Sequence, residues 1–132
     1  MIPKKILIVD DEPDVAAYLE TLFQDNGYNT IIAYDGVAGV KIAQAEKPDL
    51  ITLDVTMPNQ SGIKTYECYK SDPDLIHTPV IIITATGDAF PDFLEKFKGL
   101  PDPEGFMGKP IDPFKLIEMI SKVLTAGTSL SA

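Results

Sequence analysis

Carboxylate, hydroxyl and ammonium side chains follow four separate apolar stretches of this chain. They are Asp10, Asp11, Asp54, Thr84 and Lys109. Three carboxylates gathered in one place repel one another, and a hard divalent ion such as Mg²⁺, bound by carboxylates, water and phosphate oxygens, removes that repulsion. A hydroxyl and an ammonium group can bind further phosphoryl oxygens. These residue types therefore indicate phosphoryl transfer, with Asp54 as the nucleophile that forms an acyl phosphate.

The apolar stretches before these side chains are predicted to be strands of a parallel sheet. Residues 5–9, 50–53 and 80–84 are runs of mostly aliphatic side chains, which is typical of strands buried on both faces. Residues 30–33 and 106–107 are expected to form the second and the fifth strand. The carboxyl ends of parallel strands meet at one edge of the sheet, so the five side chains should converge there.

Helical patterns fill the intervals between the strands. Apolar residues recur three and four positions apart in the first and last of them, and proline, glycine and asparagine mark helix ends. The predicted helices begin at Pro13, at Gly36 and at residue 63, a short one covers residues 91–98, and the last one ends at Gly127. Five strands that alternate with five helices specify an α/β fold, with a parallel sheet covered on both sides.

Size and charge narrow the possible functions. The 132 residues suit a single domain, expected over residues 1–126, with residues 127–132 as a flexible tail or the stub of a linker. Eleven basic against twenty acidic residues give a net charge of −9, which opposes direct binding to nucleic acid. The first residues lead straight into a short predicted strand. This apolar stretch is too short for the core of a signal peptide or for a membrane span, so a cytoplasmic location is expected.

Four further residues with functional chemistry are interpreted as structural or, for His77, as structural or exposed. Cys68 is the single cysteine, so no internal disulfide can form, and a half-buried position on a helix is expected. His77 is the single histidine, and no partner for a metal site stands beside it in the sequence. Tyr66 and Tyr69 are expected to pack within the fold.

Four short motifs occur in an order and spacing that match a known family. They are Asp10-Asp11-Glu12-Pro13, Asp54 with Met57-Pro58 and Gly62, Thr84-Ala85, and Lys109-Pro110. With these motifs the chain resembles the response-regulator receiver family of two-component signalling, from residue 6 to about residue 124. The resemblance implies a flavodoxin-like three-layer fold with strand order 2-1-3-4-5. It also implies that a histidine kinase or a phosphotransfer protein donates a phosphoryl group to Asp54.

The same resemblance assigns roles to the other residues of the motifs. It implies Mg²⁺, or Mn²⁺ in its place, bound by Asp10, Asp11 and Asp54 together with the backbone carbonyl of Thr56. Thr84 and Lys109 then bind the phosphoryl group, Thr84 and Phe106 act as the switch, and the Lys109-Pro110 bond is cis. Such a domain modifies and slowly dephosphorylates only itself, so no enzyme acting on an external substrate is expected.

Three features depart from the family pattern, one of them Ser61 in place of the usual aspartate, a surface change without an assigned effect. Phe106 replaces the more frequent tyrosine, so the switch would depend on burial of the ring alone. The segment 99–105 replaces the small residues that usually precede the fifth strand. The resemblance implies that phosphorylation reshapes the face made by the fourth helix, fifth strand and fifth helix. An output domain or protein, and a phosphorylation-dependent homodimer, are the partners expected there.

Three rival functions remain open from the sequence. A magnesium phosphatase of the haloacid-dehalogenase type also uses an aspartate nucleophile, but residues 54–56 lack the second aspartate that serves as its general acid. A flavin-binding electron carrier would need phosphate-binding groups where Asp10 and Asp11 stand. A docking module that has lost phosphorylation would not need all five side chains.

Overall fold

A single parallel sheet of five strands organises the molecule. The computed structural model describes residues 3–55, 62–84, 95 and 98–131, with side chains up to residue 126. The strands are β1 (Lys5–Val9), β2 (Asn29–Ala33), β3 (Leu50–Asp54), β4 (Val80–Thr84) and β5 (Gly105–Gly108). They lie in the order β2-β1-β3-β4-β5, and every neighbouring pair is parallel. The predicted α/β fold with strand order 2-1-3-4-5 is confirmed.

Four helices are found in the described part of the chain. They are α1 (Pro13–Asp25), α2 (Gly36–Glu46), α3 (Gly62–Ser71) and α4 (Pro113–Ser131). The predicted short helix at 91–98 lies outside the described residues, apart from Glu95 and Lys98. The prediction that the last helix ends at Gly127 is wrong, because α4 continues to Ser131. A glycine inside a helix costs only about 1 kcal/mol relative to alanine and does not stop it without a further breaker.

The two faces of the sheet are buried under two pairs of helices. On one face Leu7 and Val9 of β1 pack in a cluster that includes residues of α2 and α3. On the other face Ile6 and Ile8 pack with residues of α1 and α4. Every residue of β3 and β4 is buried, which explains their continuous apolar sequence. The sheet is therefore a rigid middle layer that carries its strand ends to one edge.

The aromatic side chains of α3 are part of this core. Tyr66 and Tyr69 are fully buried, as predicted. Cys68 is partly buried, also as predicted, and His77 is exposed. No helix in the described ranges is long and apolar enough to cross a lipid bilayer.

The unusual segment 99–105 is anchored to α3 and to the start of β4. The Tyr66 hydroxyl donates a hydrogen bond to the Pro101 carbonyl. The Glu104 N–H donates to the Val80 carbonyl, and the Glu104 carboxylate accepts from the Val80 N–H. Beside it the Lys70 ammonium is largely buried and donates to two backbone carbonyls, those of Ile76 and Thr78. Burial lowers the pKa of Lys70, and the nearby Glu104 carboxylate opposes that shift.

These anchors lie at the amino end of β4, whereas Thr84 lies at its carboxyl end. The segment is therefore fixed at the sheet edge opposite the one that carries the acidic residues. Its unusual sequence is therefore anchored away from the acidic pocket.

Gly62 marks a close approach between the end of β3 and the start of α3. A Cβ atom at this position would overlap the Cα atom of Val55, a backbone atom that cannot give way cheaply. We expect Gly62→Ala to lower the free energy of unfolding by about 1–3 kcal/mol, as overpacking of a core does. Urea denaturation measures the loss. Gly108→Ala is the matched control, since no described atom lies within 4 Å of that Cβ, and an equal loss there would contradict the explanation.

Candidate functional site

The register of the sheet brings the ends of four strands level with one another. Val9 pairs with Leu53, Asp54 pairs with Ile83, and Thr84 pairs with Gly108. The chain therefore leaves β1, β3, β4 and β5 at one edge. The Lys109 N–H donates to the Thr84 carbonyl at 2.8 Å, which fixes the start of the lysine side chain beside β4. The predicted convergence of strand ends is thus present.

One ammonium group lies among three carboxylates at this edge. Lys109 Nζ is 3.4 Å from Asp54 Oδ2, 3.8 Å from Asp10 Oδ2 and 3.4 Å from Glu12 Oε1. Asp10 and Asp54 are each only 1% exposed, and the Lys109 side chain is 18% exposed. The Lys109-Pro110 bond is cis, as expected from the family pattern. The site is a small charged pocket, closed on the protein side and open to solvent at Glu12.

The pocket carries an excess of negative charge. Burial raises the pKa of Asp10 to about 6, and the charges of Asp54 and Glu12 push it the same way. A hydrogen bond from the Glu12 N–H and the charge of Lys109 oppose the shift. Burial alone would lower the pKa of Lys109, but the surrounding carboxylates outweigh it and raise that pKa. One lysine therefore does not neutralise the pocket.

The carboxylates are close enough to share a metal ion. Asp10, Asp11, Glu12 and Asp54 each offer a ligand oxygen, and these oxygens lie within 4.8 Å of one another. The buried Oδ2 atom of Asp10 has no hydrogen-bond partner in the described structure. An all-oxygen donor set with excess negative charge fits a hard divalent cation such as Mg²⁺, and contains none of the sulfur or imidazole ligands typical of zinc.

Thr84 ends β4 at the same edge of the sheet, but its side chain lies on a different face from the acids. Its hydroxyl is buried and, within the ranges that the structure covers, finds no hydrogen-bond partner. By strand alternation it lies on the side of Ile82, whose sheet partner is Phe106. Phe106 is partly buried against the core on that side. The hydroxyl and the aromatic ring thus belong to neighbouring strands and one face.

The structure adds Glu12 to the candidate site, and it does not test the role predicted for Thr56. Sequence reasoning included Glu12 in a motif but gave it no role, although its position directly after Asp11 was a signal that it would share the site. Thr56, expected to offer its backbone carbonyl to a metal, lies outside the described residues. Asp11 is partly buried and belongs to the acidic cluster.

A comparison with known families now identifies the chain. The family model of the response regulator receiver domain matches residues 6–121. The chain belongs to the response regulator receiver domain family. Among curated relatives, the receiver domain is 33% identical to Protein Rrf1 of Nitratidesulfovibrio vulgaris over 92% of this chain and 83% of that protein. It is 35% identical to the transcriptional regulatory protein PhoP of Bacillus subtilis over 92% of this chain and 48% of that protein.

Solved structures of receiver proteins have the same fold as this chain. The chemotaxis protein CheY4 of Vibrio cholerae superposes with a TM-score of 0.84 at 26% identity, over 92% of this chain and 99% of that one. The flavodoxin-like arrangement is therefore confirmed, and this receiver domain functions in phosphorelay signalling of two-component systems. The haloacid-dehalogenase and docking-module alternatives are not favoured by these relatives. The chain spans most of Rrf1 but about half of the length of PhoP.

Proposed function

We propose that this receiver domain accepts its phosphoryl group on Asp54, beside Mg²⁺ or Mn²⁺. The observation that carries the proposal is the position of Lys109 Nζ, 3.4 Å from Asp54 Oδ2, within a cluster of four acidic residues. The pocket thus combines a buried carboxylate nucleophile, a cation that can bind a phosphoryl oxygen, and oxygen ligands for a metal ion. Such a combination fits formation of an acyl phosphate.

The proposed reaction uses few protein groups. A carboxylate oxygen of Asp54 attacks the phosphorus of a phosphohistidine, the P–N bond breaks, and its electron pair stays on the imidazole nitrogen. The Lys109 ammonium binds one phosphoryl oxygen, and the Thr84 hydroxyl donates to another, so both offset the charge on the transferring group. Water later attacks the phosphorus, releases inorganic phosphate and restores the carboxylate. The domain therefore acts on itself and turns over no external substrate.

The metal would be held by the acids already gathered at the sheet edge. Asp10, Asp11 and Asp54 supply carboxylate oxygens, and the Thr56 carbonyl completes the proposed set. When bound, the ion neutralises charge on the phosphoryl group and between the carboxylates. The Oδ2 atom of Asp10 supports this assignment, because in the described chain it has no hydrogen-bond partner and lies 3.8 Å from the Lys109 ammonium, and a buried carboxylate oxygen without a hydrogen bond is costly.

Phosphorylation is proposed to move Thr84 and then Phe106. The Thr84 hydroxyl, without a partner in the described chain, would turn toward the phosphoryl group, and Phe106 could enter the space that it leaves. This would change the face that the family resemblance assigns to the predicted helix at 91–98, β5 and α4. That face would contact an output domain or protein, or a second phosphorylated copy. Residues 127–132, through which α4 continues as far as Ser131, would be the tail or linker that follows the domain at 1–126.

The phosphoryl donor is proposed to be a histidine kinase or phosphotransfer protein in the cytoplasm. An apolar cleft of about 340 Å³ lies beside Lys109, between α1 and the chain after β5, and Val15, Tyr18 and Ile111 line it. Tyr18 is half exposed, and nearby in sequence Phe114 is 86% exposed. An apolar cleft beside a reactive site, with exposed aromatic side chains in it and three residues beyond Ile111, suits a protein partner that covers these groups during transfer.

Removing these aromatic side chains should impair transfer from a protein donor only. We expect Tyr18→Ala and Phe114→Ala each to lower kcat/KM for a phosphorylated phosphotransfer protein at least fivefold, the usual effect of losing an interface anchor. Phosphorylation by phosphoramidate, which needs no docking surface, should be unchanged. Val37→Ala removes an exposed apolar side chain from α2 and serves as control. Equal losses with both donors would contradict this docking surface.

Intact mass spectrometry tests the proposed function directly. Incubation with phosphoramidate and Mg²⁺ should add one phosphate, and chelation of the metal should prevent it. Continuous release of phosphate from added phosphomonoesters would instead favour a phosphatase. Absence of any adduct would favour a docking module without phosphorylation.

A further inference from the structure

Glu12 contacts Lys109 although the proposed phosphorylation site gives it no role. Its Oε1 atom lies 3.4 Å from Lys109 Nζ, the same distance as Asp54 Oδ2. The ammonium is therefore shared between a carboxylate that would react and one that would not. The third carboxylate, Asp10, is slightly farther away at 3.8 Å.

The side chain of Glu12 does not cap α1. It occupies the N-cap position of the helix, where Ser, Thr, Asp and Asn are the usual residues. The Glu12 side chain makes no capping hydrogen bond, and its carboxylate extends toward Lys109 instead. Its backbone is held firmly, because its N–H donates to Asp10 Oδ1 and its carbonyl accepts from the Ala16 N–H. A fixed backbone with a side chain directed across the pocket suits a positioning function.

Exposure separates Glu12 from the two other partners of the lysine. The Glu12 side chain is 61% exposed, whereas those of Asp10 and Asp54 are 1% exposed. An exposed carboxylate can give up an ion pair at small cost because water replaces its partner. A buried carboxylate that loses its cation is left without compensation. Glu12 is therefore the partner that Lys109 can leave most easily.

We propose that Glu12 is a positioning residue that holds the Lys109 ammonium at the mouth of the pocket and competes with the phosphoryl group for it. This inference rests on the proposed phosphorylation of Asp54. Before transfer, the lysine is shared between Glu12 and the buried acids. During transfer it turns to a phosphoryl oxygen and releases Glu12 to solvent. Glu12 thus slows phosphorylation and keeps the lysine in place while the site waits for a donor.

Two substitutions separate the reach of the side chain from its charge. Glu12→Gln removes the charge, and Glu12→Asp keeps it but shortens the side chain by one C–C bond, roughly 1.5 Å. Both variants should be phosphorylated by subsaturating phosphoramidate about two- to fivefold faster than wild type at saturating Mg²⁺, the range expected for loss of one exposed ion pair. Glu20→Gln, the same chemical change two turns further along α1, should leave the rate unchanged.

A second measurement reports on the lysine without any phosphorylation. In ¹⁵N-lysine-labelled protein, hydrogen exchange of the Lys109 ammonium should be about two- to fivefold faster in both Glu12 variants than in wild type or in Glu20→Gln. This readout follows the Glu12–Lys109 contact and needs no phosphoryl donor. It therefore tests the positioning of Lys109 by Glu12 separately from phosphorylation, whose absence in wild type would refute the proposed function.

Three results would overturn the inference. Unchanged rates and unchanged ammonium exchange in both Glu12 variants would show that the contact has no effect. An equal acceleration in Glu20→Gln would show that only the net charge of the protein matters. Slower phosphorylation that recovers as Mg²⁺ is raised would show that Glu12 serves the metal ion and not the lysine.

Discussion

Replacing Asp54 with Asn is expected to abolish the phosphate adduct while the protein stays folded. The amide has nearly the same volume as the carboxylate but is no nucleophile, so the buried position keeps its packing and loses its reactivity. The loss of this negative charge should not unfold the variant either. It removes one of four clustered acids, and Lys109 retains Asp10 and Glu12 as partners. Intact mass after phosphoramidate and Mg²⁺ is the measurement.

Partial variants of the same pocket distinguish the nucleophile from its supporting groups. Lys109→Met and Thr84→Ala should still form the adduct but about 10²-fold more slowly, since each removes one group that stabilises the transferring charge. Asp74→Asn alters an exposed carboxylate in the turn before β4 and should behave as wild type. An adduct of undiminished yield in Asp54→Asn would place the phosphoryl group on another residue and refute the assignment.

The strands and the strand-end residues were accessible from the sequence for a simple physical reason. A parallel strand buried on both faces must be apolar along its whole length, so its polar residues mark where it emerges. The bounds of β1 and β4 were predicted correctly from this rule, and the structure places Asp10, Asp54 and Lys109 together at that emergence point. The nature of the residues then indicated phosphate and metal chemistry.

Helix ends and long-range polar contacts were less predictable. Gly127 is typical of a helix end, but glycine only weakens a helix, and residues 128–131 contain no proline that would stop it. The anchoring of segment 99–105 joins Glu104 to Val80 and Tyr66 to Pro101, residues 24 and 35 positions apart, and no local pattern encodes such pairs. Each contact depends on how the layers pack.

The contact between Glu12 and Lys109 could not be predicted from the sequence for a related reason. An acidic residue at the start of a helix is normally explained by the helix dipole, and that interpretation suffices from the sequence alone. Only the structure shows the carboxylate extending away from the helix, toward a lysine 97 positions later in the chain. Sequence reasoning therefore recovered the groups that terminate strands and missed the one that acts across the pocket.

Without a divalent cation, stability should fall as the pH rises from about 4 to about 6. Asp10 has an ordinary pKa of 3.8 when unfolded, and burial raises its pKa to about 6 in the folded protein. Between these values the folded state binds more protons than the unfolded state, so raising the pH favours unfolding. A difference of about two pKa units corresponds to about 3 kcal/mol, lost above about pH 6. Urea denaturation across this range measures the loss.

Mg²⁺ should reverse much of this loss, and only where Asp10 is ionised. An ion between the carboxylates favours their charged forms and binds the folded state alone, so at about 100 times its Kd it should add about 2.7 kcal/mol at roughly pH 7.5. At about pH 5 the same concentration should add much less, because protonated Asp10 is a poor ligand. Asp10→Asn should flatten the pH dependence and weaken the Mg²⁺ response. Three results would mean that the ion does not bind between these carboxylates. The stabilisation could be the same at both pH values, it could persist in Asp10→Asn, or KCl of equal ionic strength could match it.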